Sequence, residues 1–180
     1  MSQRITGKSF ATRSEVIARN GMVATSQPLA TQVAIDILKQ GGNAIDAAIA
    51  ANATIGLMEP TGNGLGGDLF IIYYEAKSGT VYGLNSSGWA PTGLTGDFLA
   101  AKGHKEMPQR GIYSVTVPGV AAGWHAMRER FGTKPFSELL APAIWYAENG
   151  FPVSERIAAG WANSVKMHSA HPNSRKTYLI

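Results

Sequence analysis

The side chains best suited to substrate chemistry lie in one short polar segment, NSSGW at residues 85–89. Asn85, Ser86 and Ser87 supply an amide and two hydroxyls, and Trp89 adds a large apolar wall beside them. The segment follows a predicted strand, and loops that leave strands commonly carry binding residues because a rigid scaffold positions them. We therefore predict Asn85, Ser86, Ser87 and Trp89 as a substrate-binding loop, with a plain structural turn as the alternative.

Other kinds of site find less support in the sequence. The chain has no cysteine, which excludes cysteine nucleophiles, thiolate metal sites and disulfides. Ser86 cannot form a Gly-x-Ser-x-Gly nucleophile elbow, because Leu84 stands where the first glycine is needed. His168 and His171 could share one helical turn, but no third ligand lies nearby and Pro172 interrupts the helix. We expect no bound metal and no cofactor.

A glycine-rich segment, GNGLGG at residues 62–67, has the spacing of a dinucleotide-binding loop. In that motif a strand precedes the glycines and a helix follows them, because the helix N-terminus holds the pyrophosphate. Here the predicted order is reversed, and no acidic residue stands about twenty positions further on. The segment therefore predicts a tight turn that brings its backbone close to another segment or to a substrate.

Composition limits the classes of protein and partner. With 180 residues, 44% hydrophobic and 16% charged, the chain can bury one sizeable core and is not a disordered protein. The net charge of +4 comes from scattered basic residues, so we expect no nucleic-acid partner. The most apolar stretch, residues 44–58, is too short and too polar for a membrane span. Residues 1–10 do not resemble a signal peptide, so we expect a cytoplasmic protein, with a periplasmic or secreted one as the alternative.

The elements that must position the polar loop are predicted from caps, turns and apolar periodicity. We expect helices at residues 28–40, 43–57, 118–130, 135–148 and 154–165, and strands at 22–24, 68–75, 80–84 and 115–117. The second and third strands form an antiparallel hairpin, and the near-continuous apolarity of the strand at 68–75 predicts that both its faces are covered. Helices before and after a hairpin indicate a layered α+β fold at residues 21–180, preceded by a polar arm at residues 1–20.

Several separated motifs, taken in order, resemble the N-terminal part of the γ-glutamyltranspeptidase family. They are GMVATSQPLA at residues 21–30, LKQGGNAIDAA at 38–48, EP at 59–60, GLGG at 64–67, VPG at 117–119 with Gly123, LLAPAI at 139–144 and GFPV at 150–153. The resemblance covers about residues 21–153. Several motifs in a fixed order are far more specific than any one of them.

The resemblance implies an N-terminal-nucleophile hydrolase fold, an αββα sandwich only partly represented in this chain. Members of this family cut their own chain and free a threonine, whose hydroxyl attacks the γ-glutamyl carbonyl. That threonine lies beyond these 180 residues, so the resemblance implies no catalytic residue here and predicts that this portion alone is inactive. It implies a γ-glutamyl or related acyl amide as substrate. The implied partners are the rest of the large subunit and the small subunit of the same precursor.

One position departs from the transpeptidase pattern. Alignment through Ala90 and Pro91 places Ser87 where transpeptidases carry an arginine that pairs with the substrate's α-carboxylate. Serine cannot supply that bidentate cation, so glutamyl binding should be weak unless another cation such as Arg110 replaces it. The alternatives are therefore a cephalosporin-type acylase or, if the protein ends at residue 180, a non-catalytic binding or scaffold chain.

Overall fold

The computed structural model describes residues 16–179 as seven α-helices and one two-stranded sheet. In chain order these are α1 (Pro28–Lys39), α2 (Ala44–Met58), β1 (Leu69–Glu75), β2 (Thr80–Ser86), α3 (Gly96–Ala101), α4 (Val120–Phe131), α5 (Phe136–Asn149), α6 (Glu155–Ser169) and α7 (Pro172–Tyr178), with a 3-10 turn at Ile112–Ser114. This mixture confirms the α+β class. Residues 1–15 of the arm predicted at residues 1–20 lie outside the described residues.

The first two helices form a hairpin whose ends are set by capping side chains. Pro28 occupies the first turn of α1, where its missing N–H costs nothing, and the Gln27 side chain accepts the Leu29 N–H at 2.9 Å. Asn43 and Asp46 then form a reciprocal capping box at the start of α2. Both helix starts fall where the sequence predicts them.

The strands pair antiparallel, with Leu69 opposite Ser86 and Glu75 opposite Thr80. Alternate residues of β1 face the helices, beginning with the buried Leu69. The opposite face is exposed, with Phe70, Ile72 and Tyr74 at 65%, 87% and 61%. The prediction that both faces of this strand are covered is therefore wrong for the described residues.

The core lies between α1, α2, α4, α5 and the inner face of the sheet. Helix α2 is central, because it packs against the other three helices and is rich in small residues that allow close approach. Its Ile49 and Met58 are almost fully buried, together with Leu139 of α5. No helix among residues 16–179 is long and apolar enough to cross a membrane.

Two strand predictions are wrong. Residues 22–24 and 115–117 were expected as strands, but neither segment pairs with another strand in the described chain. The helix break expected at Pro172 is found, because α6 ends at Ser169, and Pro172 then begins the further helix α7, which was not predicted. Proline is well tolerated at a first helical position, which explains this second helix start.

Candidate functional site

The four residues predicted as a substrate loop lie at the end of β2, but their side chains point in different directions. Asn85 pairs with Phe70 on the exposed face, whereas Ser86 pairs with the buried Leu69 on the helix face. The Ser86 hydroxyl donates to the Gly119 carbonyl oxygen at 2.7 Å. Ser86 is thus engaged in a contact inside the protein.

Ser87 and Trp89 are the loop residues that remain available at the surface. The Ser87 N–H donates to the Asn85 Oδ1 at 3.0 Å, and the Ser87 hydroxyl makes a long bond of 3.4 Å to the Gly88 carbonyl. Trp89 is 85% exposed. The structure therefore joins Asn85 and Ser87 by one hydrogen bond and leaves the Trp89 side chain exposed two residues further on, and none of these side chains carries a charge.

The loop is held by main-chain contacts to the segment before α4. The Val117 N–H donates to the Trp89 carbonyl oxygen at 3.0 Å. Gly88 has a φ of +79°, and a Cβ added to it would overlap the Val117 carbonyl oxygen. A side chain at residue 88 would therefore be disfavoured both by backbone conformation and by space.

The same segment is tied on its other side to the glycine-rich turn at residues 62–67. The Gly67 carbonyl oxygen accepts the N–H groups of Gly119 at 3.0 Å and Val120 at 3.2 Å, and the Thr116 hydroxyl donates to Asp68 at 3.0 Å. This confirms that the glycines bring their backbone close to another segment. We call the meeting of residues 67–68, 86–89 and 116–120 the three-loop junction.

A cavity of about 830 Å³ borders the glycine-rich turn. Its walls are largely apolar side chains of α2, α4 and α5, including Leu57, Trp124 and Ile144. The Trp124 Nε1 donates to the Asn52 Oδ1 at 2.9 Å, which satisfies the indole N–H at this wall. An apolar cavity with a few polar groups is suited to a small organic group or to apolar side chains of another segment.

Asp46 is the buried charge that fixes the surrounding helices. It is fully buried, and it accepts the N–H groups of Asn43, Thr133 and Lys134 as well as the Thr133 hydroxyl. Burial raises the pKa of this carboxyl, but the hydrogen bonds lower the pKa more, so that it lies below the ordinary 3.8. Asp46 thus joins the start of α2 to the α4–α5 connection.

The histidines considered as metal ligands do not form a metal site in the described chain. The His168 ring stacks on Trp161, and its Nδ1 lies 2.8 Å from the Ser174 hydroxyl. No group of three or more His, Asp or Glu residues that could hold a metal ion is found within residues 16–179.

Sequence reasoning did not find the partners that hold the loop. Thr116 and Gly119 belong to one segment, which is separated from Asp68 by 48 residues along the chain, and the contacts involve both side-chain and backbone atoms. The available signal was the VPG motif before α4, because glycine at such a position allows close backbone approach.

The fold of the chain is shared with proteins of known structure. The chain superimposes on a cephalosporin acylase from Bacillus halodurans with a TM-score of 0.84 and 44% identity, covering 94% of this chain and 32% of that one. It superimposes on the Helicobacter pylori gamma-glutamyltranspeptidase with a TM-score of 0.83 and 32% identity, covering 91% and 47%.

Sequence comparison gives the family. Residues 30–180 match the gamma-glutamyltranspeptidase family. Among curated relatives, the glutathione hydrolase-like YwrD proenzyme of Bacillus subtilis (strain 168) is 40% identical over 140 residues, which cover 77% of this chain and 26% of that protein. The chain belongs to the gamma-glutamyltranspeptidase family. It spans about a quarter of the length of the first curated relatives that it matches, 25% and 26%.

Proposed function

We propose that this chain is the N-terminal portion of the large subunit of an amidohydrolase or acyltransferase. The enzyme cleaves γ-glutamyl or related acyl amide bonds through an acyl-enzyme on a threonine outside these residues. The observation that carries the proposal is the family match over residues 30–180. Enzymes of this family are named for γ-glutamyl transfer, and the relatives include glutathione hydrolase and acylase names.

The exposed face of the sheet supports a partner from the same precursor. Phe70, Ile72 and Tyr74 form an apolar row in water, which is costly for a stable monomer. Two of the relatives are named as proenzymes, and each is about four times the length matched here. We assign the covering layer to the remaining large subunit and the small subunit, which would complete an αββα sandwich.

The loop at residues 87–89 supports an acyl group without an α-carboxylate as the preferred substrate. Ser87 offers a neutral hydroxyl, and Arg110, the cation considered as a replacement, contacts the Met167 sulfur at 3.2 Å. A carboxylate without a bidentate cation loses a charge-assisted pair worth roughly 2–5 kcal/mol. The 44% identity to a cephalosporin acylase supports acylase activity as the second candidate function.

The test compares two substrates that differ only in the α-carboxylate. The full-length enzyme is assayed with γ-glutamyl p-nitroanilide and with γ-aminobutyryl p-nitroanilide. We expect Ser87→Arg to lower the KM for the γ-glutamyl compound at least tenfold and to leave the γ-aminobutyryl compound unchanged or worse. Ser87→Lys is the matched control, because lysine adds the positive charge without the planar guanidinium group. It should lower the KM for the γ-glutamyl compound less than Ser87→Arg does.

Two results would contradict the proposal. Absence of turnover on any acyl anilide by the full-length enzyme would remove the proposed activity. Efficient use of the γ-glutamyl compound by the unmodified enzyme, equal to that of an arginine-bearing relative under the same conditions, would remove the proposed preference. Residues 1–180 alone should release no chromophore above a blank, because the proposed nucleophile lies outside them.

A further inference from the structure

Ser86 lies in the middle of the proposed substrate loop, yet its hydroxyl is not directed to a substrate. Its partner is the Gly119 carbonyl oxygen at 2.7 Å, on the helix side of the sheet. The neighbouring Trp89 is held through its own carbonyl oxygen, which accepts the Val117 N–H. The position of the exposed indole therefore depends on the segment at residues 116–120.

That segment is fixed from the opposite side as well. The Thr116 hydroxyl donates to Asp68 at 3.0 Å, and the Gly67 carbonyl oxygen accepts two N–H groups from Gly119 and Val120. Each of the two hydroxyls, Ser86 and Thr116, thus anchors one side of the three-loop junction. Neither belongs to the exposed surface made by Trp89.

Close packing leaves little room for the junction to adjust. A Cβ at Gly119 would overlap the Ser86 carbonyl oxygen, and a Cβ at Gly88 would overlap the Val117 carbonyl oxygen. A Cβ at Gly123 would lie 2.9 Å from the Ser86 Cβ. Because these backbones touch directly, a shift of residues 116–120 must be passed on to residues 87–89.

We infer that Ser86 and Thr116 are positioning residues that set acyl-group selectivity by fixing the Trp89 backbone, without contacting the substrate themselves. This inference rests on the proposed function, because it needs Trp89 to line the acyl site. A fixed Trp89 backbone limits the positions that its indole can take and so lowers the entropy cost of binding, and loosening that backbone should weaken binding of apolar acyl groups more than it slows the chemical step.

The experiment uses the full-length enzyme with phenylacetyl p-nitroanilide as the apolar probe and γ-aminobutyryl p-nitroanilide as the reference. Ser86→Ala and Thr116→Val each remove one hydroxyl. We expect each to raise the phenylacetyl KM about three- to tenfold, the usual worth of one hydrogen bond, with kcat within about twofold. Thr116→Ser keeps the hydroxyl and should retain the selectivity, and Ser78→Ala is the control at the far turn of the hairpin.

Two further measurements separate positioning from general destabilisation. Amide hydrogen exchange of peptides covering residues 87–91 and 115–120 should quicken in Ser86→Ala and Thr116→Val but not in Ser78→Ala. In a double-mutant cycle, Ser86→Ala should have little added effect on the phenylacetyl KM once Trp89→Ala is present, because its influence passes through that residue.

The outcomes are distinguishable. If the unmodified enzyme turns over neither of these anilides nor γ-glutamyl p-nitroanilide, the proposed function fails and the inference fails with it. If it turns over only γ-glutamyl p-nitroanilide, the inference is overturned while the proposed function stands. If it turns over both, and exchange quickens in the variants without any change in the ratio of the two KM values, the positioning role is overturned while the proposed function stands. Additive effects of Ser86→Ala and Trp89→Ala would likewise overturn it, because the two residues would then act independently.

Discussion

At the scale of single residues, Asp46 shows how a buried charge is made stable. Its carboxylate has no water around it, yet four donors satisfy it, three of them from the turn that connects α4 to α5. A buried carboxylate is tolerated only when its hydrogen bonds offset the cost of burial. The start of α2 is therefore joined to the α4–α5 connection through this side chain.

Replacing Asp46 should be costly and pH-dependent. In Asp46→Asn the amide NH₂ must face N–H donors, so we expect a loss of about 2–3 kcal/mol in the free energy of unfolding at pH 7. Because the folded pKa lies below 3.8, the stability given by Asp46 is present above that pH and is lost as the pH falls below it. Urea unfolding between pH 3 and 7 measures both effects.

The control for this substitution is Asp36→Asn, on the half-exposed face of α1. Asp36 lies 3.7 Å from Lys39 in an exposed pair, which contributes little to stability. It should change the unfolding free energy by less than about 0.5 kcal/mol. A loss at Asp46→Asn no larger than this control would contradict the role given to the carboxylate.

At the scale of elements, the close approach of α4 to the hairpin depends on the absence of a side chain. A Cβ at Gly123 would lie 2.6 Å from the Leu69 Cδ2 and 2.9 Å from the Ser86 Cβ. Such distances are well inside van der Waals contact, so the helix would have to move away from the strands. Glycine at this position fixes how near α4 can lie to the sheet.

Gly123 of α4 and Gly160 of α6 should therefore respond in opposite directions to alanine. Gly123→Ala should destabilise the protein by about 1–3 kcal/mol through overpacking. Gly160→Ala in α6, where nothing lies within 4 Å of the added Cβ, should stabilise it by about 0.5–1 kcal/mol because alanine is the better helix former. Thermal unfolding of the two variants measures the difference, and a stabilising Gly123→Ala would refute the close contact.

Local signals made five of the seven described helices predictable, but not α3 and α7, whereas strands need partners. Asn43 and Ser154 cap the helices that follow them, and such caps act within one turn of chain. Residues 22–24 and 115–117 have strand-like composition but no neighbour to pair with in the described chain. The polar segment at residues 85–89 was expected as a loop, but Asn85 and Ser86 pair with β1 and extend β2, so that the loop begins at residue 87. Its supports at Asp68 and Thr116 could not be found from sequence, since chain order does not reveal spatial neighbours.

At the scale of the whole molecule, the exposed apolar row on the sheet determines how the chain behaves alone. The 180-residue chain should self-associate, because the face formed by Phe70, Ile72 and Tyr74 and the free edge of β1 are both open. We expect Ile72→Lys to lower the scattered light intensity markedly at equal concentration. Ile112→Lys is the matched control, since Ile112 is 77% exposed but lies outside the sheet.

A monomeric unmodified chain with a sharp cooperative melting transition would argue against a missing covering layer. Equal effects of Ile72→Lys and Ile112→Lys would show that added charge, rather than loss of the apolar row, prevents association. Light scattering followed by thermal melting of the three proteins distinguishes these results.

The three-loop junction has a consequence for how the family can diversify. The loop at residues 87–89 is held through the Trp89 carbonyl oxygen and the absence of a side chain at Gly88, so the side chains of Ser87 and Trp89 carry little of its structural support beyond the 3.4 Å bond of the Ser87 hydroxyl to the Gly88 carbonyl. Mutations at those two positions can therefore drift without unfolding the protein, while the backbone beneath them stays unchanged. Under the proposed function, one or two substitutions at these positions would change the substrate preference without altering the backbone that supports them.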